Sequence, residues 1–249
     1  NVIGKEVILV ADESTISKTG KKTYGLGYFY SGLQSRAIKS IQVLTFSLVD
    51  VESRRAYPLF TRQLKQKRKS KTVKTGKRAA GRPEGSKNKN SSSKRLEGLF
   101  RIVNWYAKVI VKRLQLSNLR YMVYDGAFGN NAGIQSAKRV NLHLISKLKK
   151  NASLYFKFKG EQKSRGRKRI YGDLIEYSKI DEKYLKETKT EGYIQTKIYQ
   201  MEILHKKIYE AINIVILYTT NTKNNKITHT ILFSTDLDQE YQKIIDYYS

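Results

Sequence analysis

The chain has 249 residues, no cysteine and a formal net charge of +28. Its length allows a domain with a substantial hydrophobic core, and the absence of cysteine excludes disulfides, cysteine-based zinc sites and thiol catalysis. The positive charge indicates a polyanionic partner, which is DNA, RNA or an anionic membrane surface. The sequence holds no apolar run of about 18 residues, so we expect no membrane-spanning segment.

Two apolar segments in the first half of the chain each end in an aspartate. Residues 6–12, EVILVAD, and residues 119–125, LRYMVYD, have the continuous apolar character of strands that are buried on both faces. Between them, residues 40–60 predict two strands joined by a polar turn at residues 52–54.

A strongly basic segment follows this predicted hairpin. Residues 62–95 contain fourteen Lys or Arg residues and a single acid, Glu84, which is typical of a flexible, solvated insertion. This segment carries a net charge of +13, so about +15 remains on the rest of the chain. We therefore expect the folded part to be basic as well.

Helical and extended patterns alternate after the basic segment. Residues 95–115 have apolar side chains at helical spacing, and Trp105 is expected in the core of that helix. Asn130 or Asn131 is a suitable cap for a short helix that reaches about residue 140, and residues 141–147 predict a strand.

The second half of the chain is rich in predicted strands. Over residues 151–232, aromatic and β-branched residues alternate with polar ones, and a hairpin is expected across residues 221–226. From residue 236 the pattern predicts the start of a helix, with Asp238 near its N-cap and Ile244, Ile245 and Tyr248 on one face.

The strand-ending acids Asp12 and Asp125 are the candidate catalytic residues. If their strands are parallel neighbours, both carboxylates leave the sheet at the same edge, where they could share one or two Mg²⁺ ions. Such ions activate water or a 3′-hydroxyl and stabilise the leaving oxygen of a phosphodiester. The simpler alternative is that each Asp is only a turn residue at the end of a strand.

Several segments resemble DDE transposases of bacterial insertion sequences. The first catalytic segment of that family is similar to residues 7–32, where Asp12 is followed by Lys18, Gly20 and the pair Tyr24–Gly25. The second is similar to YMVYDGAFGN, where Asp125 precedes a glycine. The order of the remaining segments fits the branch with a β-strand insertion between the second and third acids: ISKLKKNASLYF, GRKRIYGD and ILFSTDL.

The resemblance implies an α/β fold, an RNase H-like mixed sheet flanked by helices over residues 1–249. The segment 151–232 would be the β-strand-rich insertion, and 62–95 a disordered basic loop. Asp12 and Asp125 would be the first two ligands of Mg²⁺ or Mn²⁺.

In this branch the third acid is a glutamate in a Tyr-x2-Arg-x3-Glu-x6-Lys motif. Tyr248 fits the opening tyrosine, so that glutamate would fall just past Ser249, and we expect an incomplete site and a chain cut at both ends. Glu240 and Asp246 precede the motif and are interpreted as solvated helix acids. The domain that recognises transposon ends is expected upstream of Asn1.

Basic residues outside the acid pair are the candidates for binding DNA. Arg82 lies in a Gly-Arg-Pro sequence similar to a minor-groove hook, although Ala80 stands where an arginine is usual, which favours nonspecific phosphate contact. In the related proteins a tryptophan of the insertion stacks on a flipped base; here Tyr193 or Tyr199 could serve. The remaining candidates are Lys18, Lys163, Arg165, Arg167, Lys168 and Arg169.

We therefore expect a DNA transposase that cleaves DNA and transfers strands at inverted-repeat ends. It would work in the bacterial cytoplasm on the nucleoid, and as a homodimer on two DNA ends. One alternative is a catalytically dead transposase remnant that only binds DNA. Another is a nuclease of the same fold, such as a junction resolvase, which would not explain the strand insertion.

Overall fold

The computed structural model describes residues 4, 6–20, 22–66 and 98–249. Arg82 and residues 67–95 of the predicted basic insertion lie outside the described residues. The first three residues of that segment, 62–64, belong to a strand, because the second strand of the predicted hairpin extends to Leu64.

The first part of the chain forms a sheet with two helices on one face. Its elements are β1 (Val7–Ser17), β2 (Gly27–Ser31), β3 (Arg36–Asp50), β4 (Arg55–Leu64), α1 (Leu99–Leu114), β5 (Leu119–Tyr124), α2 (Asn131–Lys138) and β6 (His143–Leu148). The order β4-β3-β1-β5-β6 runs across this part of the sheet. Strands β4, β3 and β1 pair antiparallel, whereas β1, β5 and β6 pair parallel.

The rest of the chain continues the same sheet. Its elements are β7 (Leu154–Lys157), β8 (Tyr171–Leu174), β9 (Leu185–Glu191), β10 (Ile194–His205), β11 (Ile208–Asn221), β12 (Lys226–Ser234) and α3 (Tyr241–Tyr248). Strand β12 pairs antiparallel with β6, and β11, β10, β7 and β8 follow outward. The described strands thus form one mixed sheet of twelve, and the prediction of an RNase H-like α/β fold is confirmed.

Hydrophobic side chains cover both faces of this sheet, because its central strands alternate apolar residues to either side. On one face, Leu9 and Met122 pack with Val103 of α1 and Ile134 of α2. On the other face, Ile8, Val123 and Ile145 pack with Ile244 and Tyr247 of α3. Among the described residues, no helix combines the length and the apolar character that crossing a membrane requires.

A buried polar network holds the connection between β12 and α3. Asn213 is 2% exposed, and its Nδ2 donates hydrogen bonds to the carbonyl oxygens of Asp236 (3.3 Å), Leu237 (3.3 Å) and Gln239 (2.8 Å). Ser234 Oγ donates to Gln239 Oε1 at 2.6 Å. Because these bonds satisfy backbone groups away from water, they fix where α3 begins.

Three details of the helices differ from the predictions. Trp105 is 56% exposed, because α1 buries the face that carries Val103, Ala107 and Ile110 and turns Trp105 to the surface. Glu240, not Asp238, occupies the N-cap position of α3, and no side chain caps this helix. Tyr247 is also buried there, while Tyr248 is only partly buried.

Candidate active site

The two predicted acids lie on neighbouring parallel strands. The β1–β5 register pairs Ala11 with Tyr124, so Asp12 and Asp125 are the next residues on each chain. Paired strands are about 4.8 Å apart, which places the two backbones side by side at this edge. The structure therefore brings together the two residues that the sequence singled out.

The prediction that β1 ends at Asp12 is wrong. Strand β1 continues to Ser17 because β3 keeps pairing with it, up to Ser17 with Ser40. Only the parallel neighbour β5 stops at Tyr124. Asp12 is therefore held in a paired strand, which restrains its backbone more than a loop would.

Both carboxylates belong to the α3 face of the sheet. Side chains alternate along a strand, so Asp12 shares a face with Val10 and Asp125 shares a face with Val123, next to α3. Both acids are exposed. An open groove of about 710 Å³ lies on this face between the sheet and the C-terminal end of α3, and its lining includes Val10, Val123 and Tyr248.

Hydrogen bonds hold Asp125 at the start of a tight turn. Its carboxylate Oδ1 accepts a hydrogen bond from the Gly126 backbone N–H. Its carbonyl oxygen accepts from the Phe128 backbone N–H at 2.9 Å and from Ser146 Oγ at 3.0 Å. A Cβ at Gly129 would lie 2.3 Å from the Lys147 carbonyl oxygen, so this turn packs directly on β6.

A third carboxyl group, Glu13, lies next to the pair, and sequence reasoning missed it. It points to the opposite face from Asp12 and accepts a hydrogen bond from Gln42 Nε2 at 2.6 Å. Burial raises the pKa of Glu13, and the charges of Asp12 and Asp125 raise it further. Its position beside Asp12 in the sequence gave no sign of this environment, because the apolar run that predicts β1 ends at Asp12.

The donor set suits a hard divalent cation. Mg²⁺ is commonly held by one or two carboxylates, with waters and substrate phosphates completing its octahedron. Asp12 and Asp125 supply such a pair, and their exposure leaves room for those further ligands. In the described part of the chain, no group of three or more His, Asp or Glu side chains lies close enough together to hold a metal ion.

The end of α3 approaches the acid pair. Burial, and after it the charge of Asp125, raises the pKa of Tyr248. The two acids that were interpreted as solvated behave as expected: Glu240 and Asp246 are both exposed, and Asp246 accepts a hydrogen bond from Gln242 within α3 at 2.9 Å.

A comparison with models of protein families shows which family this chain belongs to. The model of the DDE superfamily endonucleases matches residues 2–202, which is more than half of the chain. The chain belongs to this family. The match includes Asp12, Asp125 and strands β1 to β9, and no curated protein matches the chain. An endonuclease cleaves a nucleic acid, and a polyanionic substrate agrees with the net charge of +28.

The predicted basic loop of this endonuclease lies far from the acids along the sheet. Lys163, Arg165, Arg167, Lys168 and Arg169 are exposed in the connection between β7 and β8. Strand β7 is the sixth strand from β1, which corresponds to about 29 Å along the sheet. The structure therefore does not bring this loop next to Asp12.

The same loop is nevertheless ordered by its own contacts. Gln162 Nε2 donates to the Arg169 carbonyl oxygen and the Arg169 backbone N–H donates to Gln162 Oε1, both at 2.8 Å. The Arg169 guanidinium lies over the Phe158 ring at 4.5 Å and donates through Nε to the Tyr171 carbonyl oxygen. Arg169 thus contributes to the shape of the loop, while Lys163 and Arg165 are presented at its tip.

The exposed fraction of the side chain decides whether the remaining candidates could contact DNA. Lys18 is exposed directly after β1, six residues along the chain from Asp12. Tyr193 is 65% exposed and Tyr199 only 6% exposed. Of the two tyrosines, only Tyr193 is accessible to a nucleic-acid base.

Proposed function

We propose that this DDE superfamily endonuclease is a DNA transposase that cleaves DNA and transfers strands at inverted-repeat ends. The observation that supports the proposal is the β1–β5 register, in which the last pair, Ala11 with Tyr124, directly precedes Asp12 and Asp125. As a transposase it would act on two DNA ends as a homodimer, in the bacterial cytoplasm on the nucleoid.

Asp12 and Asp125 would hold Mg²⁺ or Mn²⁺. When bound, such ions lower the pKa of coordinated water and stabilise the attacking and leaving oxygens of a phosphodiester. The protein orients the ligands: β3 restrains Asp12 through strand pairing, and Ser146 fixes the backbone of Asp125. Lys147 lies beside the Gly126 turn, where its ammonium can offset the negative charge of a phosphate.

The basic loop between β7 and β8 would bind the DNA backbone at a distance from the cut. Its separation from β1, about 29 Å, corresponds to eight or nine base pairs at roughly 3.4 Å per base pair. One duplex could therefore contact the acids and the loop within about one helical turn. Arg82 would add nonspecific phosphate contacts, Lys18 would bind a phosphate beyond the end of β1, and Tyr193 would stack on a flipped base.

The test is metal-dependent nicking of a supercoiled plasmid carrying inverted-repeat ends, with DNA binding measured in parallel. Asp12→Asn and Asp125→Asn should each abolish nicking and leave binding in EDTA unchanged, while the control Asp238→Asn, an exposed acid before α3, should nick like the unaltered protein. Nicking by both Asp variants at the unaltered rate would disprove the assignment. Binding without nicking by the unaltered protein, in Mg²⁺ and in Mn²⁺, would favour the alternative of a DNA-binding remnant.

Isothermal titration with Mn²⁺ separates ligand loss from folding defects. The unaltered protein should bind the ion, and both Asp variants should bind it at least about tenfold more weakly, since each removes a charged ligand. Unchanged circular dichroism spectra would show that the variants fold.

A further inference from the structure

Three tyrosines are exposed around strand β2, where the pattern of a half-buried strand would place polar side chains. Tyr24, Tyr28 and Tyr30 are 71%, 66% and 65% exposed, whereas Phe29 between them is only 9% exposed. Isolated exposed apolar residues are ordinary, but two large exposed rings on one five-residue strand, with a third just before it, mark a binding surface. We call Tyr24, Tyr28 and Tyr30 the tyrosine surface.

The register places Tyr28 and Tyr30 on the same face of the sheet as the acids. Tyr28 pairs with Lys39 and Tyr30 with Ala37 on β3, while Asp12 pairs with Thr45 on the same strand. Two residues that pair across strands point to the same face, and so does every second residue along one strand. Residues 37, 39 and 45 of β3 are an even number of positions apart, so they and their partners share one face. Lys39 and Ala37 lie six and eight residues from Thr45, which corresponds to about 20 Å and about 26 Å along β3. The β2 backbone also approaches β1 directly, because Thr15 Oγ1, three residues from Asp12, donates to the Tyr30 carbonyl oxygen.

The surroundings of the tyrosine surface are positively charged. No acidic residue occurs between Glu13 and Asp50, and this stretch carries five Lys or Arg residues. The Lys65 ammonium lies 4.0 Å from the centre of the Tyr24 ring. A negatively charged partner with flat π-faces matches such a surface, and DNA with unstacked bases has both properties.

Hydrogen bonds hold the backbone under the rings. The Gln66 side chain accepts from the Tyr28 N–H at 3.4 Å and donates to the Tyr28 carbonyl oxygen. Thr15 Oγ1 donates to the Tyr30 carbonyl oxygen at 3.2 Å, and Gln63 Nε2 to that of Tyr24 at 2.7 Å. The rings are therefore presented from a fixed strand, which lowers the entropy lost when they bind.

The spacing of the two β2 rings suits one base. Alternate residues on a strand are about 6.6–6.8 Å apart, which is close to twice the roughly 3.4 Å separation of stacked bases. A base inserted between Tyr28 and Tyr30 would contact both rings. A duplex keeps its bases stacked on each other, and unstacking one of them costs free energy, so an unpaired strand occupies this gap at a lower cost.

We propose that the tyrosine surface binds single-stranded DNA and leads one strand toward Asp12 and Asp125. The inference rests on the proposed function, because it takes the DNA from that proposal and adds which form of DNA is bound and where. It does not depend on the metal ions or on cleavage.

The test compares Tyr28→Ala/Tyr30→Ala with Tyr28→Phe/Tyr30→Phe, which keeps both rings. Fluorescence anisotropy in EDTA measures the affinity for a single-stranded oligonucleotide and for its duplex. We expect the Ala pair to lose about tenfold or more in single-strand affinity, with duplex affinity unchanged, and the Phe pair to bind both as the unaltered protein does. Trp105→Ala is the matched control, since Trp105 is a 56% exposed ring on the opposite face, and it should change neither affinity.

A 2-aminopurine base moved along the oligonucleotide reports stacking directly. One position should be quenched by the unaltered protein and by the Phe pair, but not by the Ala pair. The proposal is overturned if the Ala pair binds single strands as tightly as the unaltered protein, or if both DNA forms weaken equally. It is also overturned if the Ala pair only converts a dimer to a monomer in sedimentation, which would make this face a contact between copies of the chain.

Failure of the proposed function gives a different result. If the unaltered protein binds neither single-stranded nor duplex DNA, the proposed function itself is wrong. If it binds duplex DNA and the Ala pair has no effect, only the tyrosine surface proposal is wrong.

Discussion

Substitution of Gly129 by alanine should displace the turn that positions Asp125. A Cβ at this position would lie 2.3 Å from the Lys147 carbonyl oxygen and 3.2 Å from the Lys147 carbonyl carbon. Ordinary van der Waals contact begins near 3.4 Å, so the two backbones must separate by about 1 Å. Gly129 has φ −69° and ψ 58°, the inverse γ-turn conformation, which residues other than glycine also adopt, so the effect reports mainly the steric contact.

The turn, not strand β6, should move. Lys147 pairs with Leu232 of β12, and β6 also pairs with β5, so a shift of β6 would disturb two strand pairings. Forcing extra volume into a packed site costs about 1–3 kcal/mol in the free energy of unfolding. A misplacement of about 1 Å at a catalytic group lowers the rate by roughly 100-fold, so metal-dependent nicking should fall by about that factor.

Urea denaturation and the plasmid nicking assay measure the two effects, and Gly32→Ala is the matched control. Gly32 lies in the turn between β2 and β3, and a Cβ there would meet no atom within 4 Å. We expect this control to unfold and nick as the unaltered protein does. If Gly129→Ala matched the control in both assays, the inference that this turn positions Asp125 would be refuted.

Three further substitutions test the packing and charge around the site by urea denaturation. Asn213→Ala should lower the free energy of unfolding by about 1–3 kcal/mol, because three backbone carbonyls lose the donor that fixes α3; no loss would show that water replaces it. Tyr124→Phe should leave stability equal or higher, since the buried hydroxyl has no hydrogen-bond partner among the described residues; a clear loss would reveal one. Glu13→Gln should be more stable than the unaltered protein in EDTA at pH 8 and equal to it at pH 4. The pKa of Glu13 is raised in the folded state, so ionisation above the ordinary value of 4.5 destabilises only the protein that carries the glutamate. If Glu13→Gln and the unaltered protein differed in the free energy of unfolding by the same amount at both pH values, the burial assigned to Glu13 would be contradicted.

The acid pair could be predicted because its signal is local. Apolar runs that end at Asp12 and Asp125 indicate buried strands, and parallel strands bring such ends to one edge of a sheet. The helix that begins after Asn130 was predictable for the same reason, since the Asn130 side chain caps it by accepting hydrogen bonds from Ala132 N–H (3.0 Å) and Gly133 N–H (3.2 Å).

Features that depend on distant partners could not be predicted. The continuation of β1 to Ser17 depends on β3, which pairs with it from more than twenty residues away. The exposure of Trp105 depends on which face of α1 meets the sheet, and helical spacing by itself does not decide how far an aromatic residue at the edge of that face is covered. The environment of Glu13 needs both neighbouring acids and Gln42 in place.

By itself, the sequence indicated a polyanionic partner, the α/β class of the fold and the two acids of the candidate site, because charge, periodicity and strand-ending residues are properties of short segments. Only the tertiary structure decided that strands β7 to β12 extend the sheet that carries those acids, and that the basic loop lies about 29 Å from them along it. It also decided that Tyr28 and Tyr30 share the face of Asp12. The reason is that strand pairing and register are set by contacts between residues far apart in the chain, and a shift of one residue exchanges the two faces of a strand.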